Sequence, residues 1–122
     1  MSKILIVEDC EDLTAVLTLH LETKGYSVIT AEDGEKGILV AKADHPDLIV
    51  MDLNMPVMDG FTSTQVLKSS EDTKAIPIIA LSSLATADNK DAEYEAGCDA
   101  YLTKPIDFDL FFKTLNTFLS KS

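Results

Sequence analysis

The stretch LIVMDLNMPVMDG, residues 48–60, runs four apolar residues straight into a carboxylate, Asp52. Burying an unpaired charge costs on the order of several kcal/mol even after relaxation. Asp52 must therefore escape to solvent or be held for a purpose, and other segments decide between the two. Three more short apolar runs end in a chemically active group: KILIV (3–7) in Glu8 and Asp9, IPIIAL (76–81) in Ser82 and Ser83, and AYLT (100–103) in Lys104 and Pro105.

Brought to one place, these groups define a chemistry. Three carboxylates within a few ångströms repel one another, and a divalent cation relieves the repulsion. Mg²⁺ prefers near-octahedral oxygen at ~2.0–2.1 Å, keeps several waters and takes only one or two carboxylates. Asp9 and Asp52 suit direct ligation and Glu8 a contact through water, with a main-chain carbonyl after Asp52 as a further oxygen. No closed protein cage is expected, so positions stay open for a phosphoryl oxygen, and Mn²⁺ is an alternative occupant. Asp52 has the best claim to be a nucleophile, since carboxylates attack phosphoryl groups to give aspartyl phosphates. Lys104 would act on the transferred oxygens as a point charge and Ser82 would donate to one of them. Asn54 is an amide and cannot shuttle a proton, so an acyl phosphate formed at Asp52 should persist.

The commoner roles are plainer. A single strand-end Asp usually caps a helix or turn, a lone Ser pair does the same, and Lys-Pro alone signifies little. It is the four endings together that favour chemistry. GEKG (34–37) lacks P-loop spacing and its Lys-Ser/Thr pair. His20 reads as flanking the core, His45 as a surface-loop residue, and Phe108, Phe111, Phe112 and Phe118 as mostly core.

To bring the endings together, the chain must alternate strands and helices. The strands are read at 3–7, 26–30, 47–51, 76–81 and 100–103: short, mostly continuous apolar runs, as in a parallel sheet covered on both faces. Between them, DLTAVLTLHLETKG places apolar or semi-apolar residues at 13, 16, 17, 20 and 21, with Gly25 as its stop. DGEKGILVAKAD reads as a helix weakened by Gly37. A turn at Asp59-Gly60 precedes helical FTSTQVLKSS; TADNKDAEYEAG reads as a polar helix, and DFDLFFKTLNTFLSK closes the chain with an apolar face. Alternating βα units predict a doubly wound α/β fold, in which all strand C-termini share one edge and ligands bind there.

Composition narrows the partners. The 122 residues fit one domain, expected to span 1–122. The net charge is −11 and every basic residue is lysine, which argues against direct nucleic-acid binding and removes any guanidinium clamp for phosphate. No apolar run approaches the ~20 residues of a membrane span, and MSKILIVED is no signal peptide, so a cytoplasmic home is expected. Cys10 and Cys98 lack metal spacing and read as small, partly buried hydrophobes in a reducing compartment.

The segments ILIVEDCEDL, DLIVMDLNMPVMDGF, IPIIALSS and AGCDAYLTKP, in this order, resemble the receiver domains of two-component response regulators along essentially the whole chain. The resemblance implies a flavodoxin-like five-stranded parallel sheet of order 2-1-3-4-5. It implies phosphorylation of Asp52 by a phosphohistidine of a sensor histidine kinase or a histidine phosphotransfer protein, the chain catalysing only its own phosphorylation and dephosphorylation. Asp9 and Asp52 then match the direct metal ligands, Glu8 the water-mediated one, and Asn54 the backbone-carbonyl ligand. Ser82 matches the switch hydroxyl, Lys104 the phosphate-contacting lysine, Lys104-Pro105 a cis peptide, and Tyr101 an aromatic residue whose rotamer follows the phosphoryl group. Switching would alter the surface of the fourth helix, last strand and last helix for a downstream effector protein, the chain being a monomer or a phosphorylation-linked dimer. It could be a stand-alone regulator or the N-terminal part of a longer one.

Departures are mild: Glu8 replaces a common Asp, Ser82 a common Thr, and Cys10 a frequent Asp or Asn. Two other classes compete, a small Mg-dependent hydrolase with an Asp nucleophile and a flavin- or nucleotide-binding module of the same architecture. Asn54 and the short chain speak against the first, and the acidic EDCED after the first strand against the second.

By the same resemblance Leu84, two residues after Ser82, falls where the family tunes the lifetime of the phosphoryl group; an apolar residue there offers no polar help to an attacking water, so self-dephosphorylation should be slow. Loss of phosphoprotein followed in Mg²⁺ tests this, and a lifetime of seconds would contradict it.

Overall fold

The computed structural model describes residues 2–53, 60–82, 97–103 and 106–119. Five strands, β1 (Lys3–Val7), β2 (Ser27–Ala31), β3 (Leu48–Asp52), β4 (Ile78–Ser82) and β5 (Ala100–Thr103), form one sheet of order β2-β1-β3-β4-β5. Every pairing is parallel. Among the described residues, four helices accompany it: α1 (Glu11–Thr23), α2 (Gly34–Asp44), α3 (Gly60–Ser69) and α4 (Phe108–Leu119). The expected α/β architecture and strand order are those observed. The polar helix expected within 86–97 falls largely outside the described residues.

Strand side chains alternate between two cores. Leu5, Val7, Ile49, Met51, Ile78 and Ala80 pack with Ala41 of α2 and Leu67 of α3. Ile4, Ile6, Leu48, Val50, Ile79 and Leu81 pack with Leu17 and Leu21 of α1 and with Phe111 and Leu115 of α4. A sheet apolar on both faces is the physical reason β1, β3 and β4 read as unbroken hydrophobic runs.

Local signals set the helix ends. Asp33 caps α2, its Oδ1 accepting from the Lys36 N–H at 2.8 Å, and His45 closes that helix in the left-handed region with φ 46°. Asp107 Oδ1 accepts from the Leu110 N–H at 3.2 Å at the start of α4. After α1, the N–H groups of Lys24, Gly25 and Tyr26 all return to carbonyls of its last turn, and Gly25 supplies the positive φ of 93°.

Three expectations shift. Asp52 is itself the last residue of β3 and Ser82 of β4, so both polar groups belong to the sheet. Val16, expected on the apolar face of α1, is 42% exposed, because Leu17 and Leu21 already fill the contact with the sheet. Of the four phenylalanines of α4, only Phe111 is fully buried; Phe108, Phe112 and Phe118 pack partly exposed against the same core. His20 flanks the core as expected, stacked on Phe108 with ring centroids 3.8 Å apart.

Gly37, which weakens the helical pattern, has a packing reason. A Cβ there would stand 2.8 Å from Val7 Cγ2, so the glycine lets α2 lie directly on β1, one residue before Glu8. At the opposite edge of the sheet, Lys68 Nζ donates to the Ile76 carbonyl at 2.8 Å and to Asp99 Oδ2 at 2.7 Å. Asp99 Oδ2 also accepts from the Ile78 N–H at 2.8 Å, which ties α3 to the starts of β4 and β5.

Gly37→Ala should lower stability by up to about 2 kcal/mol, overpacking of about 1–3 kcal/mol outweighing the helix-propensity gain of about 1 kcal/mol. The shift in the urea midpoint at constant m-value measures it.

Candidate functional site

The parallel register carries the strand ends to one edge. Val7 pairs with Met51 on one side and Ala31 on the other, so Glu8 follows β1 directly beside Asp52, the residue after Met51. Asp52 pairs in turn with Leu81, which places Ser82 one step farther along β4, opposite Thr103 of β5. The backbone continues this arrangement beyond the strands. Glu8 N–H donates to the Ala31 carbonyl at 3.0 Å, and Leu53 N–H to the Leu81 carbonyl at 2.9 Å.

Glu8, Asp9 and Asp52 each present a carboxylate oxygen, and these oxygens all lie within 4.8 Å of one another. Glu8 is 4% exposed and Asp52 1%, whereas Asp9 faces solvent. The Cys10 N–H donates to Glu8 Oε2 at 3.2 Å, fixing that carboxylate as the chain turns into α1. Two buried carboxylates and one open to water are a hard, oxygen-only donor set with a solvent approach. Such a set suits a divalent cation that keeps part of its hydration.

Ser82 is buried at the end of β4, adjacent in the sheet to the strand that carries Asp52. Tyr101 lies on β5 opposite Ala80, half-buried against the core that includes Met51 and Val7. Thr103 ends β5, and the chain continues to Lys104 and Pro105. Asn54, Ser83, Leu84, Lys104 and Pro105 lie outside the described residues, as does Asp59 of the expected turn. The structure therefore brings together Glu8, Asp9 and Asp52, with Ser82 on the neighbouring strand and Tyr101 beyond it.

Cys98 is buried as expected, but Cys10 is exposed, because it stands at the N-terminal boundary of α1 where its side chain has no core to enter. The ending of β2 contributes more than the Asp33 cap of α2. A groove of about 340 Å³ beside the carboxylates is lined by Glu8, Asp9, Glu11, Thr14, Thr30 and Glu32, among others. Glu32 carries no signal in isolation, whereas Glu11 belongs to the acidic EDCED run. Glu11 follows Glu8 by three residues, and only the place of β1 beside β2 makes Glu32 its neighbour. Glu32 is paired with Lys36, whose ammonium is held above its ordinary pKa by hydrogen bonding to that carboxylate.

Known proteins match this arrangement. Residues 4–116 match the family model described as the response regulator receiver domain. Protein PilH of Pseudomonas aeruginosa is 37% identical over 120 residues, 98% of this chain and 99% of its own. The DNA-binding dual master transcriptional regulator RpaA of Synechocystis is 37% identical over 122 residues, all of this chain but 51% of its own length. The chain thus spans about half of that relative and nearly all of PilH. Among solved structures, chemotaxis protein CheY4 of Vibrio cholerae superposes with a TM-score of 0.91 at 31% identity, covering 98% of this chain and 99% of that one. The receiver domain of sensor histidine kinase PA1611 from Pseudomonas aeruginosa, solved with a magnesium ion coordinated in its active-site cleft, gives a TM-score of 0.91 at 30% identity, covering 98% of each chain. These likenesses favour neither the hydrolase nor the flavin- or nucleotide-binding alternative. No described helix is long and apolar enough to cross a membrane. Sheet order, clustered carboxylates and sequence similarity agree, and the chain belongs to the response regulator receiver domain family of two-component signal transduction.

Proposed function

We propose that Asp52 is the phosphoacceptor: its carboxylate takes a phosphoryl group from a phosphohistidine of a histidine kinase or histidine phosphotransfer protein. The observation that carries this reading is the convergence of Glu8 and Asp9 on Asp52 at the C-terminal edge of the sheet. In this reading residues 1–122 act as one receiver unit in the cytoplasm, catalysing only their own phosphorylation and dephosphorylation.

The residues divide the work by position. Asp9 and Asp52 would ligate Mg²⁺, or Mn²⁺, directly, Glu8 would do so through water, and Asn54 through its backbone carbonyl. When bound, the cation supplies charge neutralisation for the transferred phosphoryl oxygens. An Asp52 oxygen attacks phosphorus, the bond to the donor nitrogen breaks, and the nitrogen leaves with its electron pair. Lys104 balances charge on the phosphoryl oxygens and Ser82 donates a hydrogen bond to one of them. Burial of Asp52 limits access of bulk water to the acyl phosphate, and the amide of Asn54 supplies no base.

Signalling then follows from linkage. Moving a population from 1:99 to 99:1 requires about 5.5 kcal/mol of preference for the active state. A hydrogen bond and a lysine contact to charged oxygens, at roughly 1.5–3 kcal/mol each, approach that sum. In this reading Ser82 moves toward the phosphoryl group and Tyr101 turns inward into the space it vacates, beside Ala80 and Met51. The surface offered to a downstream effector protein changes with it, in a monomer or in a phosphorylation-linked dimer.

Incubation with Mg²⁺ and a small phosphodonor should add one phosphoryl mass to the wild-type chain and none to Asp52→Asn. Persistent labelling of the variant, or label mapping elsewhere, would overturn the assignment. Mg²⁺ at about ten times its Kd should stabilise the wild type by about 1.4 kcal/mol. Asp9→Asn should lose most of that gain in a thermal melt, and an undiminished shift would exclude Asp9 as a ligand.

A further inference from the structure

The sheet ends in two edge strands, and the sequence treats them differently. β5 has four residues, with Asp99 before it and Lys104 and Pro105 after it. A short strand bounded by charge and proline is a poor template for another strand. β2, SVITA, has five residues, no charge and no proline, and it keeps an unbroken register against β1.

The inward bonds of β2 identify its outward ones. Ser27 N–H donates to the Ser2 carbonyl at 2.9 Å, and the Ala31 carbonyl accepts from Glu8 N–H at 3.0 Å, so the odd-numbered residues of β2 bond to β1. By the alternation of a ladder, the N–H and C=O groups of Val28 and Thr30 point away from the sheet. Among the described residues no strand lies on that side. Beside this edge Leu39 of α2 is 63% exposed. With Thr30, Ala31 and Val40 it lines a largely apolar hollow of about 380 Å³.

A second copy of the chain complements this edge. Turned about a two-fold axis normal to the sheet, its β2 runs antiparallel to the first, Ile29 facing Ile29 and Val28 facing Thr30. Val28 and Thr30 then exchange both backbone bonds. The side-chain pairs Ile29–Ile29, Val28–Thr30 and Ser27–Ala31 are small or β-branched and carry no charge, so none repels. Such an axis keeps each face of the sheet continuous, which sets both α2 helices, with their exposed Leu39, on one face. Charge selects the direction. Glu32 and Asp33 follow β2 while Lys24 precedes it, and the carboxylates of Glu8, Asp9 and Asp52 gather at the acidic end. Parallel pairing would set two acidic ends side by side; antiparallel pairing sets each against the Lys24 turn of the other copy.

We propose that β2 is a self-association edge through which two copies of this chain join, antiparallel, into one continuous sheet. The contact is isologous and needs no phosphoryl group at Asp52.

Sedimentation equilibrium of the unphosphorylated chain should give a mass that climbs with concentration toward twice that of one chain. Amide exchange at Val28 and Thr30, followed by NMR, should slow over the same concentration range. Thr30→Lys and Leu39→Lys, both at exposed positions, should each raise the dimer Kd by roughly tenfold, one weakened contact on either side of the axis. Lys24→Glu should raise it too, and less so at high salt. Leu110→Lys, which charges an exposed apolar position of α4, should leave it unchanged. A chain still monomeric at about 1 mM overturns the proposal. So does a dimer indifferent to both Thr30→Lys and Leu39→Lys, a dimer dissolved by Leu110→Lys, or exchange at Val28 and Thr30 that ignores concentration.

Discussion

Mutual repulsion of carboxylates at the sheet edge is the constraint around which the molecule is arranged. Glu8 and Asp52 are almost fully buried, and their oxygens lie within 4.8 Å of each other and of Asp9. Left to itself such a cluster would spread, because separating like charges and hydrating them are both favourable. Two of its three acids are fixed by the sheet. Asp52 is a residue of β3 paired with Leu81, and Glu8 is tied to β2 through the Ala31 carbonyl. The sheet thus helps to hold the charges together, and the proposed cation would relieve their repulsion.

The two cores are therefore part of the site's chemistry. Val7 precedes Glu8 and is clasped by Gly37, where any larger residue would press on its methyl group. Met51 precedes Asp52 in the same core. At the far edge Lys68, bonded to the Ile76 carbonyl and to Asp99, fixes where β4 and β5 begin. Parallel strands anchored at their starts deliver their C-terminal ends in a set order, which is how Ser82 comes to lie one step beyond the partner of Asp52.

Much of this was legible in the sequence, for identifiable reasons. A strand covered on both faces must be apolar throughout, so KILIV and LIVM could be read as β1 and β3 without a structure, and the acids after them as sheet-edge groups. Sheet order could be taken only from the resemblance to receiver domains, and it is order that makes Glu32 a neighbour of Glu8. The exposure of Cys10 and Val16 escaped the reading because residue type reports hydrophobicity, whereas exposure depends on which part of a helix meets the sheet. Gly37 was read as a weakness in α2 because propensity concerns the helix alone, while its reason lies in contact with Val7. Asn54, Lys104 and Pro105 lie outside the described residues, and their roles rest on the sequence and on what this family membership implies.

The most direct test of the central claim replaces Mg²⁺ with Mn²⁺ and follows the backbone amide NMR signals of the wild-type chain during titration. Paramagnetic broadening falls steeply with distance from the ion. If β1 and β3 converge their carboxylates on one cation, the amides around Glu8, Asp9 and Asp52 will vanish first, with Ser82 close behind. Signals at the opposite edge, around Lys68 and Asp99, will survive. Broadening that begins elsewhere on the acidic surface, or spreads evenly over it, would contradict the account.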